Sequence, residues 1–179
     1  MKNLQLRKAT IADDGFAYQT RKAAFCEYVE KISVWNEEEQ RQLHQQRFTE
    51  HDVRVTQLSG IDVGIIAMSR QADCITLYQM FILPEYQDRG IGEKVKMLII
   101  EEASKVKLPI RFQVLNVNNR AFAFYQRLGF KGTGENNSHI LMERLSLSIY
   151  FRCIFQAPPN QRGDRMMRKI FLLMAAILL

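Results

Sequence analysis

The chain has 179 residues, 47% of them hydrophobic and 25% charged, a composition that excludes a disordered, collagenous or low-complexity chain and suits one ordinary domain. Its net charge of +6 is concentrated at one end: from residue 146 on, Arg152, Arg162, Arg165, Arg168 and Lys169 oppose the single acid Asp164, leaving only +2 for residues 1–145. That near-neutral body argues against a nucleic-acid-binding fold, and three distant cysteines without a CxxC pair argue against a disulfide framework or a thiolate metal site.

The first residues lack the apolar stretch and cleavage site of a secretory signal, so a cytoplasmic protein is expected. Residues 4–8 alternate with period two as a strand, and Thr10 followed by Asp13 and Asp14 marks a helix start. Helical sequence continues to residue 30. A second helix begins at Asn36, with Glu37, Glu38 and Glu39 near the positive end of its dipole, and runs to about residue 48.

Residues 53–58, 61–69 and 74–83 are rich in β-branched and aromatic side chains and are separated by turn signals, which predicts an antiparallel meander. Pro84 ends it. Val95, Leu98, Ile99 and Ala103 then recur at helical spacing as far as residue 107. A strand over 110–117, a helix over 119–128 closed by Gly129, and a strand pair around residues 135–137 complete a domain over 1–145.

Residues 146–179 form a basic and apolar tail with three readings: an appendage helix, a membrane-surface contact, or sequence from a shifted or extended reading frame. Its ten-residue apolar run, 170–179, spans about 15 Å as a helix, half of a hydrocarbon core of about 30 Å, so no transmembrane segment is expected.

The chemistry-bearing segment is the strand ending near Leu83, the turn at Pro84, and then Gln87, Asp88, Arg89, Gly90, Ile91 and Gly92 opening a helix. Glycines at a helix mouth let a ligand approach the backbone, and the unpaired N–H groups of the first turn suit an anion such as a pyrophosphate. Arg89 and Lys94 stand at its rim. About twenty-five residues on comes a second pattern: Asn118, then Ala121, Tyr125, Gly129 and Phe130, following a strand.

The order strand, Q-x-x-G-x-G, helix, strand, N-x-x-A-x-x-x-Y-x-x-x-G-F resembles the GCN5-related N-acetyltransferase (GNAT) superfamily, in element order over residues 1–145 and in motifs over 78–130. The resemblance implies an α/β (α+β) fold with a mixed, largely antiparallel sheet flanked by helices, whose two central parallel strands splay around acetyl-CoA. On this likeness the backbone of Gln79, Met80, Phe81, Ile82 and Leu83 pairs with the pantetheine arm. Residues Gln87, Asp88, Arg89, Gly90, Ile91 and Gly92 hold the pyrophosphate with help from Lys94, Asn118 holds the pantetheine, and Tyr125 is the catalytic acid beside the sulfur.

The implied reaction is direct attack of a primary amine on the thioester, with an oxyanion stabilised by a backbone N–H such as that of Phe81. Full proton transfer from a phenol to a thiolate is uphill by roughly 2 kcal/mol on reference values, so Tyr125 is expected to share its proton. In several protein-acetylating members of the resembled family, a glutamate five residues before the motif asparagine serves as base; that position here is Gln113. Glu37 or Glu85 acting through water, or an amine already neutral in solution, are the alternatives. Tyr28, Trp35 and Gln113 are candidate acceptor-site residues.

His44, His51 and His139 lack metal-ligand spacing, and no metal is expected. A homodimer is compatible with the family. The competing class is a non-catalytic acyl-CoA-binding sensor or interaction module.

Overall fold

The computed structural model describes residues 3–146. Seven strands form one sheet: β1 (Leu4–Lys8), β2 (Asp52–Leu58), β3 (Ile61–Arg70), β4 (Ile75–Ile82), β5 (Ile110–Leu115), β6 (Lys131–Glu135) and β7 (His139–Arg144), in the spatial order β1-β2-β3-β4-β5-β7-β6. Four helices accompany it: α1 (Asp14–Glu30), α2 (Glu37–Glu50), α3 (Ile91–Lys105) and α4 (Asn119–Arg127). All neighbouring strands are antiparallel except β4 and β5. The expected fold class and element order are therefore present, with strand and helix ends shifted by a few residues.

Local chemistry sets the helix starts. Asn36 accepts hydrogen bonds from the N–H groups of Glu38 and Glu39, which caps α2. Thr10 works differently: its N–H and hydroxyl both donate to the Asp13 carboxylate, which also receives Arg7, and a 3-10 turn precedes α1.

Alternation along the strands divides the core between the two sheet faces. On one face Ile66, Met68, Ile75, Leu77 and Ile82 pack with Ile91, Val95, Ile99 and Ala103 of α3 and with Tyr125 of α4. Each such buried aliphatic side chain is worth about 1.5–3 kcal/mol. On the other face α1 lies against β3 and β4, with Phe25 and Phe81 rings 5.3 Å apart.

Gly64 permits a close approach of β3 to β4. A β-carbon there would stand 2.5 Å from the Phe81 carbonyl oxygen, so β3 and β4 keep their register at this point only without a side chain.

No helix among the described residues is long and apolar enough to cross a membrane. The tail over 147–179 lies outside the described residues.

Candidate active site

Strands β4 and β5 pair only at Ile75 with Ile110 and Thr76 with Arg111. Beyond these residues β4 has no partner on that side, while β5 turns its other edge to β7 along its whole length. The register of β3 against β4 also skips Tyr78, between the pairs Met68 with Leu77 and Ala67 with Gln79. An extra residue on one strand bends it and strengthens its twist. The two strands consequently diverge, and a cleft of about 870 Å³ opens between them.

One end of the cleft is the helix mouth. Gly90 caps α3 at φ +73°, the left-handed region that glycine adopts without strain. Lys94 N–H bonds to the Gly90 carbonyl, so the N–H groups of Ile91, Gly92 and Glu93 precede the first intrahelical bond. A β-carbon at Gly92 would face Met80 and Phe124, both at 3.8 Å, on the cleft wall. The Gln87 amide donates to the Ile82 carbonyl at 2.9 Å and fastens the turn to the end of β4. Asp88, at φ +57°, reaches across to Arg120 of α4, 2.5 Å away.

Of the residues singled out in the sequence, Gln79, Met80, Phe81, Ile82, Gln87, Asp88, Gly90, Gly92, Asn118, Tyr125, Tyr28 and Gln113 line this cleft. Leu83, Arg89, Ile91, Lys94 and Trp35 are not among its walls, for separate reasons. Ile91 packs in the core. Lys94 borders a shallow groove with Leu4, Met97 and Leu98. Arg89 lies over the Tyr86 ring. Trp35 stands behind Arg21, whose guanidinium is 5.3 Å from its ring, and donates its indole N–H to Glu37.

Asn118 caps α4 by accepting from the Ala121 N–H at 2.9 Å, which uses its carbonyl oxygen and leaves its amide N–H groups as donors. One face of α4 then carries Tyr125 into an aromatic cluster with Phe112 at 4.3 Å, Phe124 at 5.1 Å and Phe130 at 5.8 Å. Burial raises the Tyr125 pKa well above its ordinary value, so its phenol stays protonated and acts as a donor. Lys96 of α3, fully buried, places its nitrogen 4.4–5.4 Å from the rings of Tyr125, Phe112 and Phe130. Burial drives its pKa down.

The other end of the cleft is walled by α1 and α2, and sequence reasoning missed its main features. Arg21 and Arg47 line it, and so does His139 from β7. The glutamates at the start of α2 do not serve it. Glu37 is paired with Lys22 and Arg41 and accepts from Trp35, which holds its carboxyl down at about 2. Neither Glu37 nor Glu85 lines the cleft, so the expectation that one of them takes a proton there is withdrawn. No spacing rule joins Arg21, Arg47 and His139 in the sequence; only the packing of α1, α2 and β7 around the splay does.

A family model described as an acetyltransferase (GNAT) domain matches residues 16–140, and the chain belongs to that family. Among curated proteins none matches it in sequence. Its fold is similar to a PaiA N-acetyltransferase from Thermoplasma acidophilum in complex with coenzyme A, at 18% identity and a TM-score of 0.67, over 80% of this chain and 99% of the other. It is similar as well to the ribosomal-protein-S18-alanine N-acetyltransferase of Escherichia coli, at 18% identity and a TM-score of 0.64, over 81% and 96% of the two chains. A GNAT family acetyltransferase from Elizabethkingia anophelis with acetyl-CoA bound aligns at 15% identity and a TM-score of 0.63, over 80% and 98%.

Proposed function

We propose that the protein transfers the acetyl group of acetyl-CoA to a primary amine by direct attack. The observation that carries this reading is the opening between β4 and β5, which runs from the glycine turn at α3 to the Tyr125 phenol. Its glycine end suits a pyrophosphate: the first-turn N–H groups of α3 supply aligned donors and the helix dipole favours the charge. The unpaired edge of β4 offers backbone groups to the pantetheine arm as a neighbouring strand would, and Asn118 adds amide donors.

At the reacting centre the amine attacks the thioester carbonyl, the C–S bond breaks, and the thiolate leaves. Tyr125 donates a hydrogen bond to the departing sulfur. A backbone N–H of β4 stabilises the oxyanion, a contribution of about 3–4 kcal/mol in comparable sites.

His139 supplies the proton acceptor that Gln113 cannot be. Its Nδ1 lies 2.7 Å from Ser138 Oγ, and Ser138 Oγ donates in turn toward Asn136 Oδ1. In the tautomer that donates from Nδ1 to Ser138 Oγ, the Nε2 lone pair is available. Burial, and then the charge of Arg47, lower the His139 pKa, so the imidazole is neutral near pH 7.

Calorimetric titration of acetyl-CoA followed by thiol release with a panel of amines tests the proposal. Binding with amine-dependent release is expected. Binding without release for any amine supports the non-catalytic acyl-CoA module instead, and absence of binding by folded protein overturns the cofactor assignment.

A further inference from the structure

The α1/α2 end of the cleft is unusual in what it leaves unspent. Arg21 is 2% exposed, yet its Nε and Nη1 make no hydrogen bond among the described residues. Only its Nη2 is engaged, by the neutral amide oxygen of Gln40. Trp35 and Phe25 flank the guanidinium, 5.3 and 5.9 Å from it, and fix its plane. Arg47 lines the same space and has no ion-pair partner among the described residues. The Gln79 amide nitrogen, also buried in this wall, is without a partner too.

These groups are all donors. A buried donor without an acceptor is costly, more so when charged, and two guanidinium groups in one recess repel each other. Burial and then the Arg47 charge bring the Arg21 pKa down to about 10, still charged near neutrality. The acids that line the cleft, Asp88 and Glu93, belong to its glycine end. An anion with two oxygens would complement these donors.

We infer that the acceptor is an amine that itself bears a carboxylate, a free amino acid in class, with Arg21 and Arg47 gripping the carboxylate while the amino group faces the thioester. Arginine suits this role because its planar fork matches a carboxylate's two oxygens. The inference rests on the acetyl-transfer reading and narrows it. It disfavours polyamines, whose added positive charge would meet two arginines.

The test compares the twenty proteinogenic amino acids with their carboxamides as acceptors, alongside spermidine and glucosamine. At least one free amino acid is expected to exceed its carboxamide in kcat/KM by about tenfold or more, the usual scale of a charge-assisted contact. Arg47→Met, at a partly exposed site that tolerates the change, should erase that difference while leaving the acetyl-CoA dissociation constant unchanged. Arg21→Lys should reduce it and keep the fold.

A second readout does not need turnover: the corresponding N-acetyl amino acids and their carboxamides are titrated calorimetrically into protein saturated with coenzyme A. Binding of a carboxylate form only, lost in Arg47→Met, supports the inference. Equal or better use of spermidine or glucosamine overturns it, as does failure of every N-acetyl amino acid to bind. Weaker acetyl-CoA binding by Arg47→Met also overturns it, by assigning the arginine to the cofactor. If acetyl-CoA binds but no amine accepts, acetyl transfer fails separately and the calorimetry still decides the carboxylate site.

Discussion

The Lys96 nitrogen lies 4.4 Å from the centroid of the Tyr125 ring, and so a buried lysine forms the back wall of the phenol proposed as the acid. The rings of Phe112 and Phe130 close around the same nitrogen. Because burial disfavours its charge, folding lowers the Lys96 pKa. The unfolded chain then binds more protons than the native one below the ordinary lysine value near 10.4, and the penalty shrinks as pH rises toward that value. Lys96→Met should therefore stabilise the protein by about 1–3 kcal/mol at pH 7 and flatten the rise of Tm between pH 7 and 10. An unchanged Tm profile would refute the buried-base account.

Tyr125→Phe removes the hydroxyl and keeps the ring that packs on Phe112. Acetyl transfer should fall on the order of a hundredfold, the low end of general-acid effects, while acetyl-CoA affinity stays as it was. Steady-state rates and calorimetry on the same preparation check both halves.

Two glycines should fail in different ways. Gly64→Ala drives a β-carbon against the Phe81 carbonyl at 2.5 Å, and overpacking of this kind costs about 1–3 kcal/mol, read as a lower denaturation midpoint. Gly92→Leu meets only ordinary contacts at its β-carbon but fills the cleft floor, so folding should survive and acetyl-CoA binding should not.

His44 is buried, donates from Nε2 to the Asp14 carboxylate at 3.1 Å, and packs edge-on against Tyr18. Burial lowers its pKa, with Asp14 opposing. For a base whose folded value is depressed, the unfolded state takes up more protons as pH falls through about 6.5. Stability should accordingly decline from pH 7.5 to 5.5, and His44→Gln should reduce the slope of Tm against pH over that window.

His139→Gln should lower kcat/KM and remove the acidic limb of its pH profile, which in the native enzyme reports protonation of the imidazole. Retention of that limb would assign it elsewhere.

Much of the scaffold could be read along the chain because its signals are local. Asn36 and Asn118 announce helix starts by their side-chain chemistry, Gly90 by its need for positive φ, and the meander by alternation. The glycine turn and Tyr125 follow from one motif each. The recess of Arg21, Arg47 and His139 escaped for the opposite reason. Its members lie on three elements and carry no spacing, and an arginine on a polar helix looks solvated until a neighbouring helix buries it. Of the three glutamates at the start of α2, Glu37 is already paired with Lys22 and Arg41.

The bridge between Asp88 and Arg120 gives the mouth of the cleft an ionic hinge pin. Both partners are exposed, at 82% and 58%, and pairs of that kind contribute about 0–1 kcal/mol. On the proposed cofactor reading, a phosphate at the α3 mouth would compete with Asp88 for Arg120 at little cost. Both the Asp88–Arg120 pair and such a phosphate contact would weaken as salt is added.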